Sequence, residues 1–181
     1  GNFDTTGGME DLYVCLGMPS RFEAARWHEK GKLIYSYQNP TGGQELPETW
    51  RRNYGLLLWQ YDYDGALPYA WQHGYSDAWN DFDHAELKDH NFTYPTVDGV
   101  IDTLQWEGFR EGVDDLRYLS TLLDALDSEQ GKNSPHAPAV RAWLRALKDA
   151  PLGRMDLALV REQMVGHILA LQGNSPASRN Q

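Results

Sequence analysis

The opening of the chain alternates between segments that favour strands and segments that favour helices, and this limits the folds open to it. The runs 11–16 and 32–38 are short and rich in strand-forming residues. Between them, Ser20 and Glu23 have the spacing of a capping box. This spacing predicts a helix that ends at Gly31 and connects the first two strands.

The same alternation continues to residue 72. A second helix is predicted from Pro47 to about Gln60, and a third strand over residues 66–72. Strands separated by helices at this spacing predict parallel strands with crossover helices, and hence an α/β fold. Three such strands form either an open sheet or part of a (β/α)8 TIM barrel, of which they would be the last three.

The second half of the sequence is predicted to be helical. Apolar residues recur at helical spacing over 98–127, after Ser134-Pro135, and over about 156–172. Gly112 interrupts the first of these helices, which predicts close packing against another element. The predicted organisation is therefore a barrel portion over residues 1–96, C-terminal helices over 97–173 and a disordered tail over 174–181.

Charge and cysteine content exclude several classes of function. The 26 acidic and 16 basic residues give a net charge of −10, which disfavours nucleic acid and anionic membrane surfaces as partners. The single cysteine, Cys15, excludes an internal disulfide and is interpreted as a small buried apolar residue. The compartment stays open, and a secreted or periplasmic location is compatible with these data.

Tryptophan and tyrosine are concentrated in residues 50–79, where the chain has nine of them and no phenylalanine. These two residues are favoured over phenylalanine where one end of a ring meets water or a polar ligand, and sugars offer both an apolar face and hydroxyl groups. The predicted strand ends carry similar side chains, and ligands of parallel α/β folds bind beyond such ends. The predicted substrate-binding residues are Tyr35, Tyr37, Gln38, Trp71, Gln72 and Trp79.

A purely structural role is the alternative for each of these rings. For Trp50, Tyr54 and Trp59 we favour burial between strands and helices. For Trp71 and Trp79, burial and ligand contact remain equally open alternatives.

Two groups of polar residues resemble catalytic or metal sites. Asp62 and Asp64 could form a carboxylate pair, but a turn beside the third strand is the favoured interpretation. A second group could ligate a metal, although its spacing matches no dedicated metal-binding loop, and a solvated loop is favoured. The members of this second group are Asp81, Asp83, His84 and His90. No motif for a nucleotide or another cofactor is present.

The predicted long helix carries a dense pattern of charged and aromatic residues, interpreted from the residues alone as a salt-bridged outer face. Arg110 with Asp114 and Asp114 with Arg117 have ion-pair spacing. The run 103–119 resembles the closing helix of glycoside hydrolase family 123 and related barrel proteins, whose pattern is roughly Ser-Ile-Arg-Trp-Glu-x-x-Arg-Glu-Gly-x-x-Asp-x-x-Tyr-Leu. The matching residues are Trp106, Glu107, Arg110, Glu111, Gly112, Asp115, Tyr118 and Leu119. Gln105 departs from the usual arginine.

This resemblance implies a TIM-barrel hydrolase that acts on a glycan containing β-linked N-acetylgalactosamine, without a cofactor. It also implies a substrate-assisted mechanism, in which the acetamido oxygen of the sugar attacks, an Asp orients it and the adjacent Glu protonates the leaving oxygen. The chain contains no Asp-Glu dipeptide. We therefore expect a C-terminal fragment that holds sugar-binding aromatic residues and no catalytic residue, with the catalytic acids upstream of Gly1.

Two other hypotheses remain from the sequence alone. One is a non-catalytic carbohydrate-binding or structural module. The other is a small, complete α/β domain of unknown role.

Overall fold

A computed structural model describes residues 3–37, 46–85 and 89–173. The chain is mixed α/β, with short strands up to residue 102 and helices thereafter. Contacts divide it into two compact units, Gly1–Val113 and Asp114–Gln181. No helix of the described residues has the length and apolar character that crossing a membrane requires.

The elements of the first unit come in the following order. They are α1 (Phe3–Thr6), β1 (Leu12–Leu16), α2 (Arg21–His28), β2 (Leu33–Tyr37), α3 (Pro47–Asn53), α4 (Leu56–Tyr61), β3 (Gly65–Ala66), β4 (Gln72–His73), β5 (His90–Asn91), β6 (Thr93–Pro95) and β7 (Val100–Asp102). Strands β1, β2 and β3 form a parallel sheet in that order, while β4–β5 and β6–β7 are antiparallel pairs.

The parallel sheet has one covered face and one open face. On the covered face, Ile34 and Ser36 are buried, and Tyr13 stacks on the buried ring of Trp27 from α2. The residues that alternate with them point the other way. On that open face, Leu12, Leu16 and Leu33 are all exposed, Leu16 to 77%. An apolar sheet face is thus left open among the described residues.

The third strand is shorter than the sequence predicts. It pairs with β2 over Gly65–Ala66 alone, and the prediction of a strand over 66–72 is wrong beyond Ala66. Pro68 follows closely, and its lack of an N–H and its effect on Leu67 disfavour continued pairing. Gln72 instead begins β4, which pairs with β5 outside this sheet.

The predicted helix over 47–60 is divided into α3 and α4 at Tyr54 and Gly55. A methyl group added at Gly55 would lie 2.9 Å from the backbone of Gly112, so the chain passes very close to the following long helix here. The break therefore coincides with the close contact that Gly112 predicted.

The long helix α5 spans Leu104–Asp127, and the prediction that it begins near Asp98 is wrong. Residues 93–102 form the β6–β7 hairpin instead, with Tyr94 opposite Ile101. The hydroxyl of Thr103 accepts a hydrogen bond from the backbone N–H of Trp106 at 3.2 Å, which is how an N-cap begins a helix.

The second unit contains the rest of α5 and three further helices. These are α6 (Glu129–Lys132), α7 (Ala137–Lys148) and α8 (Leu157–Leu171), with a 3-10 turn at Leu152–Arg154. Asp156 caps α8 by accepting hydrogen bonds from two backbone N–H groups. The expected boundary at 96/97 stays a prediction, and the tail 174–181 lies outside the described residues.

Candidate functional site

Two predicted ligand-binding tyrosines lie on the open face of the parallel sheet. Tyr35 and Tyr37 alternate with the buried Ile34 and Ser36 along β2, so their side chains point away from the covered face. The ring of Tyr35 lies over Gly65 of β3, where an added methyl group would be 2.7 Å from the ring. Both tyrosines are half-buried, and Gln38, predicted beside them, lies outside the described residues.

The environment of Tyr54 brings it near Tyr37. Burial raises the pKa of Tyr54 above its ordinary value, and the charge that Tyr37 would carry raises it further. The Tyr54 phenol therefore stays protonated at neutral pH, since burial disfavours the charged form.

Trp71 lies just before β4 and is 50% exposed, with its ring edge-to-face against Trp106 of α5. Its carbonyl accepts a hydrogen bond from the backbone N–H of Phe92 at 2.9 Å. The neighbouring Gln72 donates from its side-chain amide to the hydroxyl of Thr93, also at 2.9 Å. Hydrogen bonds thus hold Trp71 and Gln72 against the segment 92–93, while half of the Trp71 surface remains exposed.

Trp79 is 53% exposed and stacks on Tyr94 of β6. The two ring centroids are 5.2 Å apart, with 15° between the planes. The backbone N–H of Trp79 donates to the carboxylate of Asp77 at 3.0 Å. Trp79 therefore presents an indole supported by a second aromatic ring, as Trp71 does.

Further aromatic rings surround His73, which lies opposite His90 in the β4–β5 pair. Tyr69 contacts both imidazoles, and its hydroxyl lies 3.4 Å from Nδ1 of His73. Burial lowers the pKa of His90, and the nearby His73 lowers it further. His90 is therefore neutral at pH 7 and can donate or accept a hydrogen bond.

The carboxylates of this region hold the loop in shape. Asp83 accepts from the backbone N–H of Asp77 at 2.5 Å, and the buried Asp89 accepts from that of Tyr75 at 2.9 Å. The buried Asp81 accepts from the hydroxyl of Tyr94 at 2.9 Å. No group of three or more metal-ligating side chains occurs among the described residues. The sequence favoured a solvated loop, whereas the burial of Asp81 shows that part of this loop is packed and hydrogen-bonded.

The other candidate carboxylates have structural partners. Asp64 accepts a hydrogen bond from the backbone N–H of Ile34 at 2.9 Å and lies 3.0 Å from Nε2 of His28. Asp62 ends α4 in the left-handed conformation, with φ of 58°. Asp64 therefore ties β3 to β2 and α2, as expected for a turn.

The charges on α5 form ion pairs along the helix. Arg110 bonds Glu107 and Glu111, at 2.7 and 3.0 Å, and Arg117 bonds Asp114 at 2.9 Å. The pairing of Asp114 with Arg117 confirms the predicted spacing. In the second unit, the buried Asp115 accepts from Nε of Arg161 at 2.6 Å, which connects α5 to α8.

The structure places the predicted residues in three groups. Tyr35 and Tyr37 share the open sheet face, Trp71 and Gln72 precede and begin β4, and Trp79 lies in the loop before β5. Sequence reasoning did not predict that Trp106, Tyr94 and Thr93 contact these residues, and it singled out Asp81 only as a possible metal ligand. Tyr94 is a polar aromatic residue like those of segment 50–79, but it lies outside that segment, so residue type was its only sequence signal.

Comparison with known proteins gives one match. The catalytic-domain model of glycoside hydrolase 123 matches residues 2–122, which include the parallel sheet, the aromatic residues between β3 and β5, and most of α5. No curated protein and no solved structure matches the chain. Since the match covers more than half of the chain, this protein belongs to glycoside hydrolase family 123.

Proposed function

We propose that this chain forms the sugar-binding wall of a TIM-barrel glycoside hydrolase. The observation that carries the proposal is the pair of half-exposed indoles, Trp71 and Trp79, each supported by a second ring. Both follow the third parallel strand, and ligands of such folds bind beyond the carboxyl ends of the strands. Because a second ring already packs against each indole, little side-chain entropy of the indole is lost when a sugar stacks on it.

The open face of the parallel sheet is an argument for the proposed TIM barrel. In a TIM barrel the helices cover the outer face of the strands and apolar side chains fill the interior. Here α2 covers one face, and Leu12, Leu16 and Leu33 project from the other. Tyr35 and Tyr37 share this second face and would line the barrel where the strands end. The proposal assigns this face to the barrel interior.

The reaction we propose is the substrate-assisted cleavage of a β-linked N-acetylhexosamine. The acetamido oxygen bonds to the anomeric carbon, the bond to the leaving oxygen breaks, and an acid supplies the proton to that oxygen. An Asp orients the acetamido group and an adjacent Glu is the acid. This sequence contains no adjacent Asp-Glu pair. The proposal therefore places both acids outside these 181 residues and gives this chain a role in binding.

Saccharide binding tests the proposal directly. Titration of the purified chain with the methyl β-glycoside of N-acetylgalactosamine is expected to change tryptophan fluorescence. Trp71→Ala and Trp79→Ala are each expected to weaken binding about tenfold, since one ring stacking is worth about 1 kcal/mol or more. Trp143→Phe in α7 is the matched control and should leave affinity unchanged. Equal affinity in all four proteins would contradict the assignment of these indoles.

Turnover separates binding from catalysis. The chain alone is expected not to hydrolyse an aryl β-N-acetylgalactosaminide, because the acids lie elsewhere in our proposal. Hydrolysis by the purified chain would overturn that placement. Binding without turnover in a longer chain that includes an upstream Asp-Glu pair would instead favour a non-catalytic carbohydrate-binding module.

A further inference from the structure

The exposed indole of Trp79 stacks on the ring of Tyr94. Trp79 lies in a loop, and over half of its surface is exposed. Its stacking partner Tyr94 belongs to β6, which is paired with β7. Tyr94 therefore links a loop side chain to regular structure, and whatever fixes the Tyr94 ring also fixes the plane of the indole.

A buried carboxylate holds Tyr94 at its far end. The Tyr94 hydroxyl donates to Oδ2 of Asp81 at 2.9 Å, and Asp81 is only 6% exposed. The other oxygen, Oδ1, lies 3.4 Å from the side-chain amide of Asn91 in β5, which donates to it. The same amide also donates to the carbonyl of Ala78, the residue before Trp79, at 3.3 Å. The Asn91 amide thus holds the loop both before the indole, at Ala78, and after it, at Asp81.

The buried position of the Asp81 carboxylate depends on these hydrogen-bond donors. A buried carboxylate is costly unless hydrogen bonds satisfy it, and bonds to a charged acceptor are stronger than neutral ones. The Tyr94 hydroxyl donates to one oxygen of the Asp81 carboxylate, and this bond restricts the position of the Tyr94 ring. The position of Asp81 in the chain, two residues after Trp79, makes the contact sensitive to the conformation of the loop.

We propose that Asp81 is a positioning residue that fixes the Trp79 indole, through the hydroxyl of Tyr94, in the orientation that stacks on a sugar ring. The inference rests on the proposed function for its ligand, and the geometry of the four residues carries the rest. Asp81 does not contact the sugar. It sets the plane of Trp79 before the sugar arrives.

A double-mutant cycle tests this contact from both ends. Tyr94→Phe removes the hydroxyl and keeps the ring, and Asp81→Ala removes the acceptor. Each is expected to weaken binding of the methyl β-glycoside of N-acetylgalactosamine by about threefold to tenfold, because the hydrogen bond acts on the sugar only through the Trp79 indole. The double variant is expected to match Asp81→Ala, which loses the bond from Tyr94 and also that from Asn91, since Tyr94→Phe then has no bond to Asp81 left to remove.

The conservative variant distinguishes positioning from general folding. Asp81→Asn retains an oxygen that can accept from Tyr94, so it should recover part of the affinity that Asp81→Ala loses. Asp98→Asn removes a carboxylate from the exposed β6–β7 turn and is the matched control, with unchanged affinity. Additive losses in the cycle, or full affinity in both Asp81→Ala and Tyr94→Phe, would overturn the inference.

The nuclear magnetic resonance signal of the Trp79 indole N–H reads the same contact without a sugar. Tyr94→Phe and Asp81→Ala are both expected to shift this signal, and the double variant should shift it no further. An indole signal unchanged in both single variants would also overturn the inference. If this signal responds as expected but no variant and no unmodified protein binds the glycoside, the proposed ligand is wrong while the positioning of Trp79 by Asp81 stands.

Discussion

The two units of the chain differ in how they use large side chains. In the part of the second unit that the structure describes, every buried apolar residue is aliphatic, from Leu119 in α5 to Leu171 in α8. The first unit buries Trp27, Trp50 and Phe92 but leaves other aromatic rings half exposed, each in contact with a further ring. These half-exposed rings are Tyr69, Trp71, Tyr75 and Trp79.

The contrast separates a packed aliphatic core from the aromatic surface that we propose binds a sugar. Aliphatic residues at helical spacing are sufficient to pack helices, and they need no polar partner. Indole and phenol rings that remain at the surface lose part of the free energy that burial would give them. Their number between β3 and β5 is the feature that our proposal assigns to ligand binding. Four experiments probe this contrast.

Gly108→Ala is expected to have the largest effect on stability. An added methyl group would overlap the backbone carbonyl of Pro47, so α3 and α5 would have to separate. We expect a loss of about 4 kcal/mol in the free energy of unfolding, at the upper end for overpacking. Urea denaturation measures it.

The control is Gly166→Ala in α8, where the same methyl group meets nothing within 4 Å. Alanine forms helices better than glycine, so this variant should gain about 0.5–1 kcal/mol. A similar loss in both variants would show that the α3–α5 contact is not as close as the structure has it.

Truncation of large apolar residues compares the two kinds of side chain. Leu122→Ala removes a fully buried side chain from α5 and should cost about 3 kcal/mol. Trp79→Ala removes a larger but half-exposed side chain and should cost about 1 kcal/mol, mostly the stacking with Tyr94. Thermal unfolding of both variants measures the difference. A larger cost for Trp79→Ala would mean that this ring serves the core.

Arg161→Met tests the ion pair that connects α8 to α5. The variant removes the guanidinium partner of Asp115, whose carboxylate is fully buried. We expect a loss of about 2 kcal/mol, less than for a fully buried pair because Arg161 is partly exposed. Combining Asp115→Leu with Arg161→Met should recover part of the loss in denaturant unfolding. Further loss in the double variant would contradict this account.

The smallest expected effect is on two histidines, one in each unit. Burial lowers the pKa of both His90 and His167, but only His90 also has a neighbouring histidine that lowers it. His73→Gln should therefore raise the pKa of His90 towards its ordinary value and leave that of His167 unchanged. Titration of the imidazole signals by nuclear magnetic resonance measures both. A shift of both histidines, or of neither, would refute it.

The sign of the accompanying change in stability follows from linkage. Because folding lowers the pKa of His90, the unfolded chain binds the proton more tightly. The contribution of His90 to stability is therefore present above its pKa of about 6.5 in the unfolded chain. This contribution is lost as the pH falls through the lower pKa that His90 has in the folded protein. His73→Gln should reduce this loss at acidic pH.

Local signals predicted the elements that depend on local contacts. The N-cap at Ser20 is confirmed, since its side chain accepts from the backbone N–H of Glu23 and α2 begins at Arg21. The second half of the predicted capping box does not form, because the backbone N–H of Ser20 donates to the hydroxyl of Tyr63 instead of to Glu23. The strand patterns predicted β1 and β2 to within a residue or two. The stripe of apolar residues predicted α8, because that helix buries one face against its own unit.

Elements that depend on distant contacts were not predicted correctly. Helical spacing runs on through the segment 98–103, yet pairing with residues 93–95 makes Val100–Asp102 a strand. The break at Gly55 coincides with a close contact to Gly112, which lies 57 residues later in the chain. Of the site, residue type indicated Trp71 and Trp79 as ligand-binding candidates. The rings behind them come from parts of the chain that no local pattern connects.

A glycine of α5 also determines where the rings around Trp71 lie. Gly108 lets α5 lie directly against the backbone of α3, and Trp106, two residues earlier, then meets the ring of Trp71. A residue with no side chain thereby determines how closely Trp106 approaches Trp71. Any change in the spacing of α3 and α5 is expected to move the ring behind Trp71 while the Trp71 indole itself is retained.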